Sequence, residues 1–287
     1  MALVFCLLGT TVPLTALAAG EDGEVQYIVS NDGTTLTIQG DGEITSQALN
    51  ANVTAEQKKT LTSVEIGAGV TGIADGYSSV FPAGVTNVTL KGSGAFRFGK
   101  YSFKGQKNLT VQSERTSLAI GSYAFHNAVL TEFPMDQLHT IGSYGFSNAV
   151  LPLEGETLTL RIEDQVDVEA QYPAISVGSC AFSGVKNKEG TAFSKASVTI
   201  GGTVQFGDYS FNASDVFGSS AALEELTFHL KEGAYLIFGG GALGIPALRS
   251  AVFTGTGQID FQHPSYRYVQ AAPFRNGKQV ETLDFSG

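Results

Sequence analysis

Residues 120–130 read IGSYAFHNAVL and residues 141–151 read IGSYGFSNAVL, nine identical letters of eleven at a spacing of twenty-one residues. A short unit of this kind cannot bury its own apolar side, so repeated copies stack and each becomes core for the next. Looser copies are FGKYSF at 98–103, VGSCAF at 177–182 and FGDYSF at 206–211, with worn forms IADGYS at 73–78 and FGGGAL at 238–243. The shared pattern is apolar, Gly, polar, aromatic, small, aromatic. Its glycine is expected to supply the positive φ of a corner, and its Tyr and Phe to pack back inside. Phe103, Phe125, Phe146, Phe182 and Phe211 are then expected to stand in single file.

Between the phrases, apolar residues recur at i, i+3 and i+5: Leu61/Val64/Ile66, Val85/Val88/Leu90, Leu130/Phe133/Met135, Leu223/Leu226/Phe228, Leu248/Ala251/Phe253 and Val280/Leu283/Phe285. Leu109/Val111, Leu158/Leu160 and Val198/Ile200 keep the last two positions. Two apolar residues flanking one outward residue mark a short strand with one buried face, and one such strand per repeat is expected. Most windows are spaced like leucine-rich repeats. The longest interval contains RIEDQVDVEAQYPAIS, read as a loop, and KNKEGTAF at 186–193 is a smaller excursion.

The series of I-G-S-Y-A-F phrases with L-x-x-V-x-I strands resembles the BspA-like class of leucine-rich repeats found on secreted and cell-surface bacterial proteins. The opening VQYIVSNDGTTLTIQGDGEI, two strands around an Asn-Asp-Gly turn, is similar to the N-terminal cap of that class. The resemblance covers roughly residues 25–287. It implies a mostly β, right-handed solenoid of short parallel strands with a β-hairpin cap, and an adhesive or ligand-binding role without catalytic residues.

The first twenty residues carry no charge, and their apolar run is too short and broken to span a bilayer. With the Ala16-Leu17-Ala18 site they read as a secretory signal peptide over 1–19, although no Lys or Arg precedes the run. The expected organisation is the signal, a cap hairpin and linker over 20–58, and a repeat solenoid over 59–287, exported to the outside or the cell surface. No second apolar span follows. Cys180 is left as a lone cysteine after Cys6 departs with the signal, so no internal disulfide is expected. The formal net charge is −10. Nucleic acid would demand a basic face, and no Lys/Arg cluster supplies one in the sequence.

Catalytic and metal signatures are lacking. His126, His139, His229 and His263 share no ligand spacing, GGGALG at 239–244 has no phosphate-loop lysine, and Cys180 reads as a packed replacement for the tyrosine of its phrase. A calcium ion held by Glu163, Asp164, Asp167 and Glu169 is conceivable. The outward strand residues are expected at Glu65, Thr89, Thr110, Thr159, Thr199, Thr227 and Asp284. A second outward row is expected at Ser63, Asn87, Asn108, Glu132, Thr157, Ser197, Glu225, Ser250 and Thr282. Such a polar ladder is either a solvated β face or a recognition surface.

The reading is therefore a non-enzymatic, cofactor-free repeat protein binding a protein or extracellular-matrix partner. Candidate contacts are Glu132, Glu225, Thr89 and Thr110, together with Tyr266 and Tyr268 of the aromatic stretch IDFQHPSYRYVQAAPF. Two alternatives stand beside it: a carbohydrate-binding or carbohydrate-active coil using that stretch or the acidic loop, and a structural segment of a larger surface protein.

Overall fold

A computed structural model describes residues 24–163, 175–207, 216–218, 222–239, 241–261 and 280–285. The segment read as a signal peptide, Phe211, Tyr266, Tyr268, His263 and the candidate calcium ligands Asp164, Asp167 and Glu169 lie outside them, while the two ends of the expected loop, 161–163 and 175–176, belong to strands. The chain opens with β1 (Gln26–Val29), β2 (Thr35–Gln39), β3 (Gly42–Ile44), α1 (Ser46–Asn52) and α2 (Ala55–Thr60). There follow β4 (Ser63–Ile66), β5 (Val70–Ile73), β6 (Asn87–Leu90), β7 (Ala95–Phe98), β8 (Leu109–Ser113), β9 (Ser117–Ile120), β10 (Leu130–Glu132) and β11 (Leu138–Ile141). The remaining strands are β12 (Thr157–Glu163), β13 (Ile175–Val177), β14 (Lys195–Gly201), β15 (Thr203–Phe206) and β16 (Glu225–Leu230). β17 (Tyr235–Phe238), β18 (Ser250–Gly255), β19 (Gln258–Asp260) and β20 (Thr282–Asp284) complete the set. The protein is thus mostly β, and among the described residues no helix is long and apolar enough to cross a membrane.

Three sheets are formed, ordered β1-β2-β4-β6-β8-β10, β19-β17-β15-β13-β11-β9-β7-β5-β3 and β12-β14-β16-β18-β20. Every neighbouring pair is parallel except β1 with β2. That hairpin turns at Ser30–Thr35, where Gly33 has φ 73° and the Asp32 carboxylate accepts the Thr34 amide at 3.1 Å, the chemistry expected of Asn-Asp-Gly. The stretch expected as a linker forms two helices instead. Thr54 and Gln57 close a reciprocal capping box over α2, with bonds of 3.2 and 2.8 Å, a signature present in the sequence as T-A-E-Q.

One strand per repeat is corrected to two. The second strand runs directly into each phrase, as in SLAI before Gly121 or AFRF before Gly99, and alternates buried with half-exposed residues. Leu118 and Ile120, or Phe96 and Phe98, carry the same period-2 signal as the first strand. All three sheets feed one apolar cluster.

The phenylalanine file forms inside it. Phe81, Phe103, Phe125, Phe146 and Phe182 stack with centroids 5.3–5.6 Å apart. The next ring is Phe217, 6.3 Å from Phe182. The Phe182 amide donates to Val216 O, as the Phe125 amide does to Gly145 O, so Val216-Phe217 holds the place that the FGDYSF phrase assigned to Phe211.

Two roles within the phrase are also corrected. Gly121, Gly142 and Gly178 do not have positive φ, whereas Gly207 of FGDYSF does, at 90°. The first three are glycines because the neighbouring repeat's backbone lies against them: a Cβ on Gly121 would stand 2.7 Å from Phe98 O, and on Gly142 2.6 Å from Ser122 N. The left-handed residue is the tyrosine, with φ of 64°, 59° and 60° at Tyr101, Tyr123 and Tyr144, and 54° at Cys180. Each stands third in a turn closed by bonds such as Ala124 N–H to Gly121 O. Positive φ turns the tyrosine outward while the following small residue and Phe go in: Ala124 and Phe125 are fully buried, Tyr123 half-buried. A non-glycine residue there costs ~1–3 kcal/mol, which ring stacking offsets in part.

The sheet breaks near residue 134. β10 pairs Leu130 with Leu109 but Glu132 with Thr110, a register shift, and Pro134 follows with no amide to donate. Leu130/Phe133/Met135 is therefore not a strand window: Leu130 opens the strand and Met135 begins a short 3-10 turn. Two other windows slip by two residues. Val111, not Leu109, pairs with Val88, and Ala196/Val198 rather than Val198/Ile200 answer Leu158/Leu160. A slip of two keeps every side chain on its face, so the apolar pattern cannot detect it.

Candidate functional site

The outward face of the first sheet is set by strand parity and register. One row runs Thr35, Ser63, Asn87, Thr110 and Glu132; the next runs Thr37, Glu65, Thr89 and Gln112. Thr89 and Thr110, expected in one row, therefore belong to adjacent rows, and Asn108 precedes β8 at φ 54°. The hydroxyls of Thr110 and Thr131 lie 2.8 Å apart, and Gln112 donates to the Glu132 carboxylate at 3.3 Å. Glu65 and Glu132 bring the charge on these two rows, set among hydroxyls and amides that both donate and accept.

Glu225 belongs to the third sheet, in a row of Thr157, Lys195, Glu225, Ser250 and Thr282. It faces Lys195 at 3.6 Å, which also pairs with Glu156 at 3.1 Å. Glu132 and Glu225 are thus not one constellation. Thr199 stands beside Arg161 and His229 rather than with Thr159 and Thr227, and the His229 ring meets Thr254 at 2.8 Å.

Glu163, the described member of the suggested calcium loop, is held by Arg161 at 2.8 Å and Lys231 at 2.6 Å. Burial would raise its pKa, but hydrogen bonds from these two cations outweigh it and hold the carboxyl below its ordinary value. Among the described residues no three His, Cys, Asp or Glu side chains come together as a metal group.

Compared with protein-family models, curated proteins and solved structures, the chain matches none.

The outward tyrosines form a second file on the corner after the second sheet. Tyr101 and Tyr123 are 5.2 Å apart and Tyr123 and Tyr144 4.8 Å; Cys180 takes the next place and hydrogen-bonds Tyr144, raising the phenol's pKa together with burial. Lys100 and Lys104 stand 5.1 and 5.0 Å from the Tyr101 centroid. Beside them an open cleft of about 250 Å³ is lined by Asp75, Arg97, Lys100, Ser122, Thr140 and the backbone of Gly121 and Gly142. Arg97 pairs with Asp75 and, at 3.5 Å, with Glu43. The Lys100 amide donates to Asp75 at 2.8 Å, the leading cause of that carboxyl's lowered pKa.

This corner was illegible in the sequence as a site, because its cations are three or four residues apart rather than adjacent. Arg115 was missed as well. It is 4% exposed and donates to the carbonyls of Gly67, Ala68 and Val70 at 2.8–3.1 Å, over the Phe96 ring at 5.4 Å. That contact reaches past a whole intervening repeat and fastens three together.

Proposed function

We propose that this chain is a non-enzymatic repeat protein of the BspA-like kind, a right-handed solenoid exported to the cell surface or beyond, that adheres to a protein or matrix partner through the outward face of its first sheet. The observation that carries the reading is the register: Thr35, Ser63, Asn87 and Thr110, beside Thr37, Glu65, Thr89 and Gln112, form two straight polar rows on parallel strands. Neighbouring strands lie ~4.8 Å apart, so the rows offer donors and acceptors at regular intervals to an extended partner. The general preference for right-handed crossovers between parallel strands supports the handedness, and the phrase series supports the family. The adhesive role follows by analogy with the fold.

The test is binding of the chain beginning at residue 20 to a panel of purified extracellular-matrix proteins, measured by biolayer interferometry. Asn87→Arg with Thr89→Arg, both on the outward face and away from the core, is expected to weaken a captured partner at least ~10-fold, as charges placed against an interface do. Binding that is unchanged in this variant but lost in Glu225→Lys moves the site to the third sheet. No binding to any member of the panel removes the adhesive role.

A further inference from the structure

The charge of this protein is segregated. From Lys91 to Thr131 the sequence has six Lys/Arg (Lys91, Arg97, Lys100, Lys104, Lys107 and Arg115) against one carboxylate, Glu114, within a chain of formal charge −10. Glu114 is occupied by Lys91 at 3.0 Å and the Gly92 amide, and Arg115 is buried. The others lie on one stretch of chain, residues 97–107, which leaves the second sheet at the tyrosine corner and enters the first at β8. Lys104 and Lys107 are exposed, and Lys107 donates to Asn127 O at 2.8 Å. Lys100 lines the cleft and stands over Tyr101 at once. Ser122 lines the same cleft and immediately precedes Tyr123, so cleft and tyrosine file form one continuous surface. At its edge Tyr77 is fully exposed, one residue beyond Gly76, whose amide donates to Lys100 O at 3.0 Å.

We propose that this corner binds an acidic oligosaccharide, a chain of sugars bearing carboxylate or sulfate groups. The ammonium groups of Lys100, Lys104 and Lys107 supply the charge complementarity, and the hydroxyls of Ser122 and Thr140 in the cleft match sugar hydroxyls. Tyr77 offers an aromatic face of the kind that packs on a pyranose ring. Arg97 is engaged by both Asp75 and Glu43, so its role in the cleft is to shape the floor. Single-stranded nucleic acid fits less well: it needs open ring faces to stack bases, and Tyr101, Tyr123 and Tyr144 close their faces on one another. A membrane surface would want apolar anchors beside the cations, and Tyr77 alone is such a residue here among the exposed large apolar side chains of this corner. The site is separate from the rows of the first sheet.

The experiment is isothermal titration of the chain beginning at residue 20 with a heparin-derived hexasaccharide and with an oligogalacturonate, at ~50 and ~200 mM salt. Parallel titrations use a single-stranded DNA of matched charge and vesicles with one third phosphatidylserine. The expected result is glycan binding that weakens with salt. It should fall at least ~10-fold in Lys100→Glu with Lys104→Glu, loss of a charge pair costing about a decade or more, and by a smaller factor in Tyr77→Ala. The second, milder variant Lys104→Gln with Lys107→Gln, on exposed side chains, guards against misfolding. Lys188→Glu, paired with Glu154 elsewhere, is expected to bind like the parent, and so is Asn87→Arg with Thr89→Arg, which separates this site from the proposed adhesive face. Equal or tighter binding of DNA or vesicles, no glycan binding at low salt, or loss in Lys188→Glu equal to that in the corner variants would overturn the proposal.

Discussion

Replacing Phe125 by alanine is the sharpest probe of how this protein holds together. The ring is fully buried and touches four others: Phe98 at 5.0 Å, Phe133 at 5.1 Å, Phe146 at 5.3 Å and Phe103 at 5.6 Å. A buried Phe→Ala change costs ~3–5 kcal/mol through lost transfer and cavity formation. Ring pairs add ~0.5–1.5 kcal/mol each beyond area, which places Phe125→Ala at about 5 kcal/mol or above. Phe81, at the end of the same file, has one ring neighbour, Phe103 at 5.5 Å. Phe81→Ala is therefore expected near the lower figure, about 3 kcal/mol. Urea unfolding followed by far-ultraviolet circular dichroism and by tyrosine fluorescence, the chain having no tryptophan, gives both values. Because each repeat is stabilised by its neighbours, Phe125→Ala should also make the two probes diverge as the array unfolds in two parts, whereas Phe81→Ala should leave them coincident. Equal losses for the two variants, or a loss below ~2 kcal/mol for Phe125→Ala, would refute the idea that the ring file is the shared core of successive repeats.

Three further outcomes follow from the same geometry. Gly121→Ala places a methyl group 2.7 Å from Phe98 O and should cost several-fold more than Gly105→Ala, where φ is 76° but nothing lies within 4 Å and the conformational penalty is ~1–2 kcal/mol; melting temperatures of the pair decide it. Arg115→Lys keeps the charge but cannot span three carbonyls, so it should destabilise by ~2–4 kcal/mol, measured by urea unfolding. Arg115→Met restoring part of that loss would fit a buried cation whose Nε has no acceptor. The depressed pKa of Glu163 means that its ion pairs contribute stability above the ordinary carboxylate range. That contribution should fade as pH drops through ~4.5 and below. Glu163→Gln should flatten this part of the stability–pH curve while lowering stability at pH 7.

The repeat and its consequences were legible in the letters. IGSYAF and IGSYGF announce equivalent neighbours, the alternation in Val64/Ile66 or Leu158/Leu160 announces strands with one buried face, and Phe103 to Phe182 do stack as that periodicity requires. Even Thr54 with Gln57 and the alternation before each glycine were readable signals, passed over as linker and corner. What the pattern could not carry was register, because a two-residue slip at Val111 or Ala196 leaves the same side chains inside. It was equally blind to the backbone of the phrase. Gly121 and Tyr123 sit two apart, and either assignment of the left-handed residue satisfies the letters. The tertiary structure decides, since the preceding repeat's backbone presses on the glycine and leaves the tyrosine to turn out. The tyrosine file and the reach of Arg115 arise the same way. They join residues from different repeats, and distance across a stack is a property that only stacking creates.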